Sequence, residues 1–369
     1  MSETHRLGAL VRTAAILALS LCYSSCVSLD GNTSTGNTVD LDVLYVGAHP
    51  DDEASSLSTL GQFAADHRLR AGVVTITRGE GGGNAVGTEE GPVLGSLREA
   101  EERRAVGKVG LTEVFNLDKA DFYYTASSPL TEQAWGHQDT LAKLVRVIRQ
   151  TRPEIAITMD PAPQPGNHGN HQFAARLAIE AYTAAADSIA FPEQISTEHL
   201  RPWAVSRLFF TGMRGEPVMG PDCEKSLHLT ESTDQVYAVW AGRNTPDGGD
   251  TWAQRERKAQ REYVTQGWAN LPDTPGDPAK IGCDYFTEIA SRVPHPIDGR
   301  GLDAMLHGAL LAVPTGLPLG TGLTATPASF RIAGGADTTV RAVVTAPPNS
   351  DLPEFGHINL GPSRIDDLS

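Results

Sequence analysis

The run AHPDDE, residues 48–53, places a histidine and two aspartates side by side. His49 and Asp52 are three residues apart, so a tight turn can direct an imidazole nitrogen and a carboxylate oxygen at one metal ion. Asp51 lies between them and remains free to act as a base. Two ligands beside a base are typical of hydrolytic metal chemistry. The structural alternative for Asp51 is an N-cap that hydrogen-bonds the backbone at the start of the following helix.

A second pair of histidines, His168 and His171, lies in the run GNHGNHQ, residues 166–172. A catalytic zinc ion usually has three protein ligands and a fourth position open to water. His49, Asp52 and His171 would supply that set, with zinc as the expected ion and Fe²⁺ as the alternative divalent metal. His168 is then a candidate acid catalyst, or else a packing or capping residue.

The elements that must position these residues alternate along the chain. Apolar runs predict strands at 41–47, 71–77, 113–117 and 154–159, and helical periodicity predicts helices at 54–67, 97–109, 139–150 and 171–186. This order indicates βαβ units and an α/β fold of Rossmann-like type, with a mostly parallel sheet and helices on both faces. The two polar runs follow the first and fourth strands, and such strand ends are where α/β sheets bind ligands.

These motifs resemble the PIG-L family, also called LmbE-like, of zinc-dependent N-deacetylases. The AHPDDE run matches the family's first motif at every letter, and His168 and His171 match its His-x-x-His pair. The resemblance covers roughly residues 40–270. It implies removal of an acetyl group from an N-acetylated sugar of the N-acetylglucosamine type, or from a glycoconjugate, by metal-activated water.

The resemblance also implies roles for individual residues. Asp51 would be the general base, His168 the acid or oxyanion-stabilising group, and Arg98 a substrate-binding residue. Arg98 also lies in a strongly charged helix, where a surface ion pair is its alternative role. Asp160, at the end of the fourth predicted strand, is a candidate hydrogen-bond partner for a metal-bound histidine, although a plain strand-end position is the simpler interpretation.

Two positions depart from the family pattern. Many members have His-Pro-Asp-His as the second motif, whereas Gly169 and Asn170 stand between the histidines here, so one carboxylate is missing. Some members also have a tyrosine two residues before the pair, where this chain has Gly166. Two alternatives to a sugar deacetylase remain: an amidase acting on a non-sugar amide such as a thiol conjugate, and a glycan-binding surface protein without activity.

The charge and the N-terminus bear on partners and location. A formal net charge of −15 argues against nucleic acid or an anionic membrane as the main partner. The family resemblance implies a small-molecule or glycan substrate instead. The apolar run at 14–21 follows Arg6 and Arg12 and is too short to span a bilayer, which predicts an export signal. The run YSSC ending at Cys26 resembles a lipobox. We therefore expect a lipoprotein anchored at the cell surface through Cys26, with a secreted protein or an uncleaved anchor as alternatives.

These patterns predict four segments. We expect a signal peptide over 1–25, a flexible tether over 26–39, the deacetylase domain over 40–310, and a short β-like segment rich in Pro, Gly and Thr over 311–369. Cys223 and Cys283 lie inside the folded region and are expected to pair, because oxidising compartments favour disulfides. Two separate buried thiols are the alternative. The oligomeric state is not determined by these patterns.

Overall fold

A seven-stranded sheet forms the centre of the computed structural model, which describes residues 39–231, 234–296, 299–310, 322–326 and 341–345. The strands before residue 300 are β1 Val43–Gly47, β2 Ala71–Thr75, β3 Glu113–Asn116, β4 Ile155–Thr158, β5 Arg207–Thr211, β6 Gly215–Glu216, β7 His228–Leu229, β8 Val236–Trp240 and β9 Cys283–Ser291. The order in the central sheet is β3-β2-β1-β4-β5-β9-β8. The first five of these strands are parallel, whereas β9 is antiparallel to both of its neighbours.

Helices follow most of the parallel strands. The α-helices of the described residues are α1 Leu57–Asp66, α2 Gly91–Lys108, α3 Ser128–Trp135, α4 His137–Thr151, α5 Gly169–Ala184, α6 Pro192–Ser196, α7 Trp252–Gln260 and α8 Leu302–Leu306. Short 3-10 helices lie at Asp52–Ser55, Pro221–Glu224, Val264–Gln266, Trp268–Asn270 and Pro278–Lys280. None of the helices in the described part of the chain combines the length and the apolar character needed to cross a bilayer.

Strand β1 shows how the sheet is buried. Val43 and Tyr45 belong to one apolar core, which also holds side chains of α1, α2 and α7. Leu44 and Val46 belong to a second core with side chains of α3, α4 and α5. Because side chains alternate across a strand, the two cores lie on opposite faces of the sheet. The predicted α/β fold with a mostly parallel sheet and helices on both faces is confirmed.

The helix α4 agrees closely with the predicted pattern. Leu141, Leu144, Val145 and Ile148 are all buried in the second core, as expected for one face of an amphipathic helix. The helix α2 begins at Gly91, six residues before the predicted start at 97. Its first turn contains Pro92, whose fixed φ and missing N–H suit that position, so the proline starts this helix and does not break it.

Cys223 and Cys283 form a disulfide, which confirms the predicted pairing. It joins the 3-10 helix Pro221–Glu224 to Cys283, the first residue of β9. In the C-terminal segment, β10 Gly322–Thr326 and β11 Arg341–Thr345 pair antiparallel, in agreement with the expected β-like character. The predicted signal peptide and all but the last residue of the predicted tether lie outside the described residues.

Candidate metal centre and active site

The site lies where β1 and β4 end side by side. The two strands pair in parallel, so the residues that follow them meet at one edge of the sheet. His49 comes two residues after the end of β1, and His168 is the N-cap of α5, which follows β4. Ring nitrogens of His49, His168 and His171 all lie within 4.8 Å of one another. The structure therefore brings together the two histidine motifs of the sequence.

Asp52 lies beside this histidine cluster, and together with His49 and His171 it places three potential ligand atoms close together. His49 Nδ1 lies 3.2 Å from His171 Nε2, and carboxylate oxygens of Asp52 lie 3.8 Å from the former nitrogen and 3.2 Å from the latter. Zinc ligands at the usual bond lengths of about 2.0–2.2 Å stand roughly 3.3 Å apart around a tetrahedral ion. The spacing of these three residues therefore fits a tetrahedral metal ion.

The backbone directs the carboxylate of Asp52 into this cluster. The N–H groups of Ala48 and His49 both donate to Asp52 Oδ2, at 2.6 and 2.9 Å. Burial alone would raise the pKa of Asp52, but the adjacent His171 and His49 and the backbone donor outweigh it and hold the pKa well below its usual range. Asp52 is thus kept ionised, as a metal ligand must be.

Asp121 contacts Nε2 of His49, the ring nitrogen that does not face His171. Its Oδ1 lies 3.2 Å from His49 Nε2, its side chain is 3% exposed, and it also accepts from the amide nitrogen of Asn170 at 3.2 Å. Burial of the His49 ring would lower the pKa of His49, but the hydrogen bond to Asp121 and the charge of Asp52 raise it to about 9. Asp121 therefore leaves His49 Nδ1 as the nitrogen that faces the metal position.

Sequence reasoning missed Asp121 and considered Asp160 for this task. The carboxylate of Asp160 instead accepts from Ala162 N at 2.8 Å and from Gln164 Nε2 at 3.2 Å, within its own loop. Asp160 is thus a strand-end residue. Asp121 follows β3 by five residues at the same edge of the sheet, and this position is the signal that could have identified it.

Replacing Asp121 with asparagine should weaken metal binding about 10- to 100-fold, the usual cost of removing an outer partner of a metal-bound histidine. The amide keeps the size of the side chain but loses the charge that orients the ring. A competition titration with a chromophoric chelator would measure the affinity. The matched control is Asp118→Asn, in the same loop, whose carboxylate is 63% exposed and pairs with Arg78. Equal affinities in the two variants would contradict the orienting role of Asp121.

Asp51 occupies a strained position beside the metal cluster. Its φ is 126°, in a region that non-glycine residues rarely adopt. It precedes the 3-10 helix Asp52–Ser55, but its side chain makes no capping hydrogen bond, which disfavours the structural alternative. Burial, and then the charge of Asp52, raise the pKa of Asp51 well above its usual value. Backbone strain of this kind concentrates at functional sites.

His168 lies at the edge of the cluster. Its Nδ1 accepts the N–H of Asn170 at 3.4 Å, so the neutral ring carries its proton on Nε2 and can donate it. Burial and the neighbouring His171 lower the pKa of His168 to about 4, which keeps the ring neutral at pH 7. The ring centroid of Tyr124 lies 5.0 Å away. Some family members have a tyrosine at the position of Gly166. Here Tyr124, from a different loop, contacts His168 instead.

Arg98 is buried beneath the glycine-rich loop that starts at Gly79. Its guanidinium donates to the carbonyls of Gly79 and Gly83, at 2.6 and 2.7 Å, and the residue is 5% exposed. These partners are backbone carbonyls of the rim, whereas an ion pair would require a carboxylate. Arg98 therefore shapes the rim of the site, and its Nε has no hydrogen-bond partner among the described residues.

The three histidines, Arg98 and the carboxylates of Asp51, Asp52 and Asp121 line one open cavity of about 730 Å³. His49, Asp51, Asp52, His168 and His171 form a polar floor. The walls are formed by the glycine-rich rim and Arg98, by a run of aromatic residues at 122–124, and by Trp268 and Leu271. Ligand pockets usually measure about 300–1,000 Å³, so the cavity is large enough for a small-molecule substrate.

Fold and site together define an α/β protein with a cluster of histidines and carboxylates that could hold a metal ion, at the ends of two parallel strands. Residues 44–182 match the model of the PIG-L family, described as GlcNAc-PI de-N-acetylase. A 1D-myo-inositol 2-acetamido-2-deoxy-α-D-glucopyranoside deacetylase of Frankia alni is 31% identical over 216 residues, which are 54% of this chain and 69% of that protein. The chain belongs to the PIG-L family, as its sequence motifs predicted.

One further curated relative and two solved structures are also similar to this chain. The corresponding deacetylase of Streptomyces scabiei is 31% identical, over 46% of this chain and 54% of its own length. Among solved structures, the N,N′-diacetylchitobiose deacetylase of Pyrococcus horikoshii is 17% identical and has a TM-score of 0.46. The match covers 67% of this chain and 83% of that protein. The conserved protein TT1542 of Thermus thermophilus is 21% identical, with coverages of 70% and 99% and a TM-score of 0.42.

The predicted location is wrong on this comparison. The sequence was expected to encode an exported lipoprotein anchored through Cys26, but the curated relatives are small-molecule deacetylases of an inositol glycoside, and this kinship contradicts a place at the cell surface. The physical reason for the error is the weakness of the signal. A short apolar run behind two arginines is a common pattern, and Tyr23 stands where a lipobox usually has leucine.

Proposed function

We propose that this protein is a metal-dependent deacetylase that removes the acetyl group from an N-acetylated sugar of the N-acetylglucosamine type. The observation that carries the proposal is the set of His49, Asp52 and His171 at tetrahedral spacing, with the carboxylate of Asp51 beside it on the cavity floor. The relatives are named as deacetylases of a 2-acetamido sugar linked to inositol, and this supports the sugar substrate.

His49 Nδ1, Asp52 and His171 Nε2 would hold the metal. Two histidines and one carboxylate form a donor set that zinc favours, and Fe²⁺ is the alternative ion. A divalent cation at this position would polarise the amide carbonyl and lower the pKa of water from about 15.7 to about 7. The open cavity leaves room on the remaining side for water and substrate.

Asp51 would act as the general base. Its carboxylate lines the cavity, makes no capping hydrogen bond, and belongs to none of the three ligands. It takes one proton from the attacking water and returns it to the amine nitrogen when the C–N bond breaks. Water thereby supplies the hydroxyl of the acetic acid and the proton of the free amine, and the carboxylate is regenerated. The strained backbone at this position supports a functional role for Asp51, because such strain concentrates at functional sites.

His168 would stabilise the oxyanion. Because its Nδ1 accepts a backbone N–H, its Nε2–H is the donor available to the cavity. Such a donor typically accounts for about 2.7–4 kcal/mol of transition-state stabilisation. Arg98 lines the cavity and would act by fixing the position of the glycine-rich rim against which the substrate binds.

The test is acetate release by the purified protein, before and after chelation and after zinc is added back. The substrate is the methyl α-glycoside of N-acetylglucosamine, compared with N-acetylcysteine as a non-sugar acetamide. We expect release from the sugar only, its loss with chelator, and its recovery with zinc. Release from N-acetylcysteine alone would replace the proposal with an amidase. The absence of release from either compound by fully metallated protein would overturn the hydrolase function.

A further inference from the structure

The mouth of the cavity carries two exposed tyrosines. Tyr123 and Tyr124 are 81% and 60% exposed. Among the described residues, no other Phe, Tyr or Trp side chain is exposed to a similar degree. Both line the cavity above the histidine cluster. Large apolar groups exposed side by side are unusual on a protein surface and mark sites of interaction.

The loop that presents these tyrosines is fixed on both sides. Before them, Asp121 accepts the N–H of Gly81 at 3.1 Å and contacts His49. After them, the carbonyl of Thr125 accepts the N–H of Gly169 at 2.7 Å, and a side chain at Gly169 would collide with this same loop. The backbone on either side is thus tied to the metal site and to the start of α5. The backbone that carries the tyrosines is thus anchored before any ligand binds, which reduces the cost of ordering this loop.

Further apolar side chains line the same cavity. Trp268 and Leu271 line it, and the Trp268 ring packs edge-on against Tyr263, with centroids 5.6 Å apart. The floor is polar, and the remaining lining includes four aromatic side chains, Phe122, Tyr123, Tyr124 and Trp268, among glycines and polar residues. An aromatic ring offers a flat apolar face, and a sugar or cyclitol ring offers a face of C–H groups that can pack on it. These aromatic side chains therefore suit a second ring, above the acetamide at the floor.

We propose that Tyr123 and Tyr124 form a stacking surface for the part of the substrate beyond the acetylated sugar, so that the enzyme prefers glycosides carrying a second ring. The proposal rests on the deacetylase function proposed above. Tyr124 lies against His168 and so marks the boundary between the acetamide position and the outer cavity. Tyr123 is the more exposed of the two and is the cleaner probe, because it makes no ring contact with the histidines.

The test compares two substrates that differ only beyond the acetylated sugar. These are the methyl and the myo-inositol α-glycosides of N-acetylglucosamine, which share the acetamide, the sugar and the anomeric linkage. The measured quantity is the ratio of kcat/KM for the inositol glycoside to kcat/KM for the methyl glycoside. We expect Tyr123→Ala to lower this ratio about three- to tenfold, the size of an aromatic stacking contribution.

Two controls separate stacking from other effects. Tyr123→Phe keeps the ring and should retain the ratio, whereas a loss would assign the effect to the hydroxyl and overturn the stacking surface. Ile189→Ala removes an equally exposed side chain outside the cavity, 82% exposed, and should leave the ratio unchanged. A ratio in Tyr123→Ala equal to that of the wild type would also overturn the proposal.

The outcome also distinguishes failure of the proposed function from failure of this inference. If the wild type cleaves both glycosides equally well, the deacetylase function stands and the second-ring preference is wrong. If it cleaves neither, isothermal titration with both glycosides tests the surface directly. Tighter binding of the inositol glycoside that is lost in Tyr123→Ala would support the stacking surface, and equal or undetectable binding would overturn it.

Discussion

Replacing Asp51 with asparagine should lower kcat for acetate release by about 10²- to 10⁴-fold, the usual contribution of a general base. Asparagine keeps the shape of the side chain and cannot take a proton from water. It also tolerates positive φ better than other non-glycine residues, so it suits the φ of 126° at this position. An alanine there would combine loss of the base with backbone strain. Acetate release from the methyl glycoside would be measured at saturating substrate.

Metal content decides how a loss of turnover is interpreted. Because Asp51 is not among the three proposed ligands, Asp51→Asn should retain as much zinc as the wild type. Asp66→Asn is the control, since Asp66 is an exposed residue at the end of α1 and should keep both metal and activity. Turnover within tenfold of the wild type would remove Asp51 from the base role. Loss of zinc together with turnover would instead make Asp51 a ligand.

Replacing His171 with alanine should abolish both metal retention and activity. Loss of a direct ligand should cost more affinity than the roughly 10- to 100-fold lost with an outer partner. Thermal melting supplies a readout that is independent of activity. Zinc at about 100 times its Kd stabilises a folded protein by about 2.7 kcal/mol, so zinc should raise the Tm of the apo wild type. The same zinc concentration should leave the Tm of the His171→Ala variant unchanged.

The matched control is His137→Ala. His137 lies on α4, pairs with Glu180 at 2.6 Å, and takes no part in the cluster of His49, His168 and His171. This variant should retain the zinc-dependent rise in Tm and the acetate release. If His171→Ala also responds to zinc as the wild type does, the ion is held by other residues. In that case His168, whose ring lies 4.0 Å from that of His171, is the first candidate.

The first four strands and the helices α1, α2 and α4 could be predicted because local pattern decides them, whereas α3 Ser128–Trp135 was not predicted. Each of these strands is a short, largely apolar run bounded by turn residues. The helices α1 and α4 each have one apolar face, whereas α2 also buries the charged side chains of Arg98, Glu101 and Glu102. The later strands could not be predicted in this way. In β9, Asp284, Thr287 and Glu288 interrupt the apolar residues, and its register with β5 shifts between Leu208 and Phe209. That pairing joins distant segments, and local periodicity does not record it.

The candidate site shows the same division. The spacing within each motif predicted that His49 and Asp52 would meet, and the strand order brought His171 to them. The partner of His49 depends on a loop conformation, which places Asp121 against the ring and Asn170 against Asp121. Arg98 was predicted to be a substrate-binding residue because the resemblance to the family implies that role. Its bonds to two backbone carbonyls follow from the fold of the glycine-rich loop, which residue type alone does not reveal.

The bonds of Arg98 to Gly79 and Gly83 divide the glycine-rich rim into two parts with different tolerance to redesign. The first part is pinned, since a side chain at Gly82 would collide with the guanidinium. The second part, residues 86–90, is exposed and is braced mainly by Asn84. Surface loops of this kind accept changes of length at low cost. Engineers who wish to graft a relative's rim onto this enzyme can therefore exchange 86–90 as a cassette and should leave 79–83 and Arg98 untouched.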